Sequence, residues 1–171
     1  VSTANYKARE YGIHSAMPIT KAWELSEKAA EEGEPPVVFI GGSFHHYAEV
    51  SKKIFKIIAK FVPIFEQSSI DEGYLDLSFT GNYAEAKKVV KKIQKEIKIK
   101  EKLTCSIGIG PNKLIAKIAS DFKKPDGLTV IRDEEVEAFL EPLPIRKIPG
   151  IGPKTETHFQ KLGIQTVRDL K

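Results

Sequence analysis

A chain of 171 residues with 41% hydrophobic and 29% charged side chains has the balance of a soluble globular protein, of one ordinary domain or two small ones. No apolar run approaches the roughly 20 residues of a membrane span, no signal-peptide pattern opens the chain, and the single cysteine, Cys105, excludes an internal disulfide. That usage fits a reducing, cytoplasmic location, and the net charge of +4 permits a nucleic-acid partner without demanding one.

From Ile19 to Ala30 the apolar spacing is helical, with Pro18 ahead of it and Glu34-Pro35-Pro36 breaking it. Val37 to Ile40 reads as a short buried strand, and Gly41-Gly42-Ser43 as the turn after it. Val50, Ile54, Ile57, Ile58 and Phe61 predict an amphipathic helix that stops near Pro63. Ile64 to Ser78 reads as two strands with a break between them, a hairpin rather than a crossover. Asn82 to Lys102 holds eight lysines against three glutamates. Its Ala86, Val90, Ile93 and Ile97 fall at i, i+4, i+7 and i+11, which predicts one buried stripe with the lysines in water. Leu103, Cys105, Ile107 and Ile109 alternate with polar or small residues, as in a strand with one face in a core. Pro111 is expected at the first position of the next helix, with Leu114, Ile115, Ile118 and Phe122 on its buried side. Pro125-Asp126-Gly127 turns the chain, Leu128 to Ile131 is a short strand, and Asp133 is the expected N-cap of a helix carrying Val136, Phe139 and Leu140. From Leu143 to Leu170 the texture changes to short helices with three prolines and three glycines, which places a boundary near Arg132. The whole reads as α+β, with helices packed on a mainly antiparallel sheet.

Asp71 and Glu72 are the chemically informative pair. In a straight strand they would point to opposite faces. Gly73 has free access to positive φ, and a bend at Glu72-Gly73 would turn both carboxylates toward one point. Such a pair needs a compensating cation, and hard oxygen ligands suit Mg²⁺, which takes one or two carboxylates and completes its shell with phosphate and water. The plain alternative is a surface hairpin with two acidic turn residues. The apolar residues on both sides favour a core hairpin.

Ile148-Pro-Gly-Ile-Gly-Pro carries a second mechanism. Gly150 and Gly152 in a tight turn expose backbone N–H groups, Pro153 starts a helix, and Lys147 and Lys154 flank it. Amides at a helix start bind phosphate oxygens, so the turn would follow a nucleic-acid backbone without reading sequence. A plain αα-hairpin is the alternative. His45-His46 has no second cluster to complete a metal site, His14 and His158 stand alone, and Trp23 belongs first to helix packing.

The segment SSIDEGYLDLS, Ser68 to Ser78, resembles the catalytic hairpin of the Y-family translesion DNA polymerases, the DNA polymerase IV group, which usually have Ala where this chain has Gly73. Three further blocks agree in order. TANYKAREYGIHSAMPITKA (Thr3 to Ala22) resembles the fingers segment of that family. SIGIGPNKLIAKIASDFKKPDGLTVI (Ser106 to Ile131) resembles the palm segment after the hairpin. IRKIPGIGPKTETHFQKLGIQTVRDL (Ile145 to Leu170) resembles the helix–hairpin–helix of the thumb.

The resemblance implies fingers at 1–42, palm at 43–131 and thumb at 132–171. It implies template-directed synthesis past damaged bases, with Asp71 and Glu72 as ligands in a site that holds two Mg²⁺ ions. Tyr6, Arg9 and Lys124 match residues that contact the incoming dNTP, and the implied partners are primer-template DNA, dNTP and a sliding clamp reached through residues beyond this chain. The Asp-x-Asp strand with which the family normally begins, and its C-terminal little-finger domain, are not found between Val1 and Lys171. The expectation is therefore a catalytically incomplete fragment whose natural start lies upstream. A non-catalytic DNA-binding relative, holding DNA by the Gly150–Gly152 turn, is the second reading.

Overall fold

The computed structural model describes Val1–Lys171 as two compact units, Val1–His46 and Tyr47–Lys171. In the first, α1 (Tyr6–Glu10) starts where the Asn5 side chain accepts the Ala8 N–H at 2.9 Å, and α2 (Ile19–Glu31) follows Pro18 as expected. Ala8, Ile13 and Ala22 form the core, with Met17, Leu25, Val37 and Phe39 packed around it. The predicted strand at Val37–Ile40 does not form. Nor is the run buried throughout: Val37 and Phe39 pack inward while Val38 and Ile40 stay 79% and 86% exposed. What it lacks is a neighbouring strand, and the Val37 N–H is taken at 2.9 Å by the buried Ser26 hydroxyl instead.

α3 (Phe44–Ile58) leads into the second unit, where β1 (Phe65–Gln67) and β2 (Gly73–Leu75) pair antiparallel, Glu66 opposite Tyr74. α4 (Tyr83–Glu101) is the lysine-rich helix, capped by Asn82, and Ala86, Val90, Ile93 and Ile97 are its buried stripe, each 4% exposed or less. Burying the three β-branched members stabilises the unit by roughly 1.5–3 kcal/mol each.

β3 (Ile107–Ile109) and β4 (Leu128–Val130) pair parallel, joined by α5 (Lys113–Phe122) in a βαβ unit. The strands thus form two separate pairs, one antiparallel and one parallel. The strand expected from Leu103 is confined to three residues. Upstream of it, the Gln94 amide donates to the Cys105 carbonyl at 2.9 Å and to that of Gly127 at 3.1 Å, doing the work of ladder bonds. Leu103 is 45% exposed, whereas Cys105 packs against the Ile57–Ile93 cluster, and burial pushes its thiol up to about 11.

α5 begins two residues later than Pro111 suggested: Asn112 is the N-cap, accepting the Ile115 N–H at 3.0 Å. Its buried residues are Ile115, Ile118 and Ala119, while Leu114 and Phe122 are about half exposed. A Cβ at Gly108 would stand 2.0 Å from the Ala116 carbonyl, so β3 and α5 touch backbone to backbone.

After β4 the chain makes a 3-10 turn at Asp133–Glu135 and enters α6 (Val136–Leu140), which packs on Ile115, Ala119 and Ile131. Asp133 is not the N-cap. Arg132 holds that position, Glu135 accepts the Arg132 N–H at 2.8 Å, and Asp133 accepts the Tyr83 hydroxyl at 2.8 Å. A 3-10 turn at Ile145–Lys147, a loop and α7 (Pro153–Lys161) form the final helical hairpin. Ile145 anchors it, 1% exposed, and an isolated bridge between Pro144 and Thr166 closes its base. No helix is long and apolar enough to cross a membrane.

Candidate active site

The loop between β1 and β2 is tied by one hydroxyl. Ser69 Oγ donates to Asp71 Oδ1 at 2.6 Å and accepts the N–H groups of Asp71 and Glu72 at 3.2 and 3.0 Å. The N–H groups of Ser68 and Ser69 both reach the Glu72 carbonyl, at 3.0 and 3.1 Å. The bend therefore falls at Ser69–Asp71, not at Glu72-Gly73. Gly73 is already in β2, opposite Gln67, and its φ is not in the left-handed region. Its glycine answers a steric demand instead: a Cβ there would lie 2.8 Å from the Phe55 ring and 2.9 Å from the Glu66 carbonyl.

The loop leaves both carboxylates exposed at its tip. Asp71 meets no cationic side chain. Glu72 Oε1 is ion-paired with the Lys117 ammonium of α5, and Glu72 Oε2 has no protein partner. One turn earlier on α5, Lys113 pairs with Glu66 on β1 and lies 5.3 Å from the Tyr74 ring centre. Partial burial opposes the charge on Lys117, but the hydrogen bond and charge of Glu72, with Asp121 and Tyr74 behind, outweigh it and raise its pKa above that of an ordinary lysine.

No group of three or more His, Cys, Asp or Glu side chains is close enough to hold a metal ion unaided. Two accessible, hard carboxylates with one oxygen committed to Lys117 still fit Mg²⁺, which needs only one or two protein ligands when phosphate and water supply the rest.

The other expected residues fall into separate groups. In the first unit, Tyr6 and Arg9 sit side by side on α1, the guanidinium 6.0 Å from the ring centre and its Nε bonded to the Ala4 carbonyl at 2.9 Å. Lys124 is ion-paired with Asp121 at 2.5 Å, ahead of a cis peptide bond to Pro125, and has no contact with Asp71 or Glu72. In the final hairpin Gly150 has φ +92°, so a side chain there would be strained. Gly152 is the N-cap of α7 with no side-chain cap, and Pro153 follows. A Cβ at either glycine would meet nothing within 4 Å, so the turn is open. Lys147 and Lys154 form no ion pair. A cleft lined by Lys117 on one side and by Arg146, Lys147 and Gly150 on the other separates α5 from this turn.

Sequence reasoning missed Ser69, Lys113 and Lys117. Lys113 and Lys117 share one helical face by their i, i+4 spacing, but only the fold shows that the face meets the hairpin. His45 and His46 lie in the first turn of α3. Trp23 is 56% exposed, with its ring 5.4 Å from that of Phe39, and so is only partly a packing residue.

The family model described as "impB/mucB/samB family" matches residues 1–121, and that described as "IMS family HHH motif" matches residues 133–164. The chain is 47% identical over 173 residues to DNA polymerase IV of Nitrosopumilus maritimus, covering 100% of this chain and 46% of that protein. It is 47% identical over 171 residues to DNA polymerase IV 2 of Methanosarcina mazei, covering 99% and 44%. Among solved structures, DinB from Sulfolobus solfataricus matches with a TM-score of 0.88 at 39% identity, and an insertion ternary complex of Dbh DNA polymerase with 0.88 at 40%; each covers 99% of this chain and 48% of the other. The chain thus spans about half the length of the relatives it matches. With a family match over residues 1–121 and a carboxylate hairpin inside it, the chain belongs to the impB/mucB/samB family.

Proposed function

We propose that the protein serves template-directed DNA synthesis past damaged bases by two-metal nucleotidyl transfer, with residues 1–42 as fingers, 43–131 as palm and 132–171 as thumb. The observation that carries this reading is the Asp71-Glu72 pair, presented to solvent at the tip of a hairpin that Ser69 holds in shape. Asp71 and Glu72 hold Mg²⁺ in this reading. When bound, Mg²⁺ makes the primer 3′-hydroxyl a better nucleophile and offsets charge on the triphosphate. Arg9 grips two phosphate oxygens at once, Tyr6 beside it adds a hydroxyl donor, and Lys124 gives up Asp121 for a third phosphate contact. The open Gly150–Gly152 amides and the unpaired Lys147 and Lys154 hold the DNA backbone without reading bases. A cytoplasmic site of action goes with a DNA substrate.

Primer extension with Mg²⁺ and dNTPs tests this in the full-length protein. Asp71→Ala and Glu72→Ala should each lower the rate by about a hundred- to a thousandfold or more while DNA binding stays near its original strength. Synthesis that survives both substitutions would show that the hairpin acids are not the chemistry.

A further inference from the structure

α5 presents two lysines, one turn apart, to the hairpin that carries Asp71 and Glu72. Lys113 is fastened by Glu66 on β1 and lies over Tyr74 on β2, which fixes the register of helix against hairpin. Lys117 then sits directly on Glu72 Oε1. An exposed ion pair of this kind usually contributes little. Here the lysine side chain is only 24% exposed, and the carboxylate it meets belongs to the pair read above as metal ligands. Asp121, on the same face of α5, and Tyr74, on β2, are the other groups near its ammonium.

We propose that Lys117 is a positioning residue that stands in for a divalent cation on Glu72 in the nucleotide-free protein. It keeps the carboxylate in place and lowers the affinity of the empty site for a metal ion. This deepens the reading of Asp71 and Glu72 as metal ligands and rests on it. The charge count gives the direction. Asp71 and Glu72 alone offer two negative charges; with Lys117 the cluster has one. A divalent ion approaching Glu72 Oε2 meets the Lys117 ammonium across one carboxylate and gains less than it would from the acids alone. Substrate phosphates, which bring several negative charges, restore the balance. The site would therefore load metal together with nucleotide rather than ahead of it.

Mn²⁺ is the probe, its unbound fraction read by electron paramagnetic resonance with the full-length protein and no nucleotide. Lys117→Met keeps the length of the side chain and removes its charge, and should tighten Mn²⁺ binding by about three- to tenfold. Lys117→Arg keeps the charge and should stay within about twofold of the original. Lys117→Gln repeats the neutral arm if the Met variant unfolds. Neutral variants that bind Mn²⁺ no better than the original, or an Arg variant that binds as tightly as Met, would overturn the proposal. If those outcomes occur while Asp71→Asn still abolishes Mn²⁺ binding, the metal reading survives and only the role of Lys117 falls. If neither the original nor the neutral variants bind Mn²⁺, both fall together.

Discussion

A methyl group at position 73 would press on the Phe55 ring at 2.8 Å and on the Glu66 carbonyl at 2.9 Å. Gly73→Ala should therefore lower stability by about 1–3 kcal/mol, and the loss should shrink when Phe55→Leu makes room. Thermal unfolding of the two single variants and the pair measures this; equal losses in both backgrounds would place the strain elsewhere. Ser69 makes three hydrogen bonds to the two acidic residues. Ser69→Ala should slow primer extension through a looser loop, with Asp71 and Glu72 intact. These two positions also mark where reading the sequence stopped. Glycine beside the acids signals either a left-handed turn or a close approach, and residues 67–78 alone do not separate the two. The deciding neighbour, Phe55, lies on α3, beyond the reach of local pattern. The acids themselves were legible because their type and adjacency are chemical facts before any fold exists.

Among the elements, α4 was read whole, because a buried stripe at helical spacing specifies both the helix and its inner face. Short strands were read less well. The continuous apolar run at Val37–Ile40 reads as a buried strand, yet only Val37 and Phe39 pack inward and no strand pairs with it, since an apolar run carries no word of a pairing partner. Proline marks the starts of α2 and α7, but at α5 asparagine sets it: Asn112, like Asn5 and Asn82, accepts a backbone N–H three residues on. Asn112→Ala should cost about 1 kcal/mol in the unfolding free energy, and Asn112→Asp much less. Between elements, Tyr83 at the start of α4 donates to Asp133 in the turn before α6. Burial first, then Asp133, pushes the Tyr83 pKa from its ordinary 10.0 up to about 12. A folded-state pKa above the unfolded one means that this contribution is complete below pH 10 and is lost as pH climbs toward 12. Tyr83→Phe should therefore melt below the original protein at pH 8, with the gap closing as pH rises past 10. A gap that stays constant across that range would remove Tyr83 from the account.

Across the molecule, residues implicated by resemblance fall into both compact units, Tyr6 and Arg9 in one, and Asp71, Glu72, Lys124 and the final hairpin in the other. The α+β class and the closing helical hairpin were legible from element order and from the change in texture after Arg132. Which residues of different elements meet was not, since ion pairs such as Glu72 with Lys117 join positions far apart in the chain. The open turn makes a prediction of its own. Lys147→Ala and Lys154→Ala should each weaken binding to duplexes of unrelated sequence by similar factors, and each should flatten the salt dependence by about one unit of slope. Losses confined to one sequence would argue against a backbone grip.

Since β3 and α5 touch backbone to backbone at Gly108, the helix has no slack toward the sheet beneath it. Its Lys117 holds an acid of the hairpin and also borders the cleft beside Gly150. One helix therefore runs from the acids to the margin of the open Gly150 turn. The same ten residues meet both places, so under the proposed reading the hold on a DNA backbone and the aim of the acids share one support.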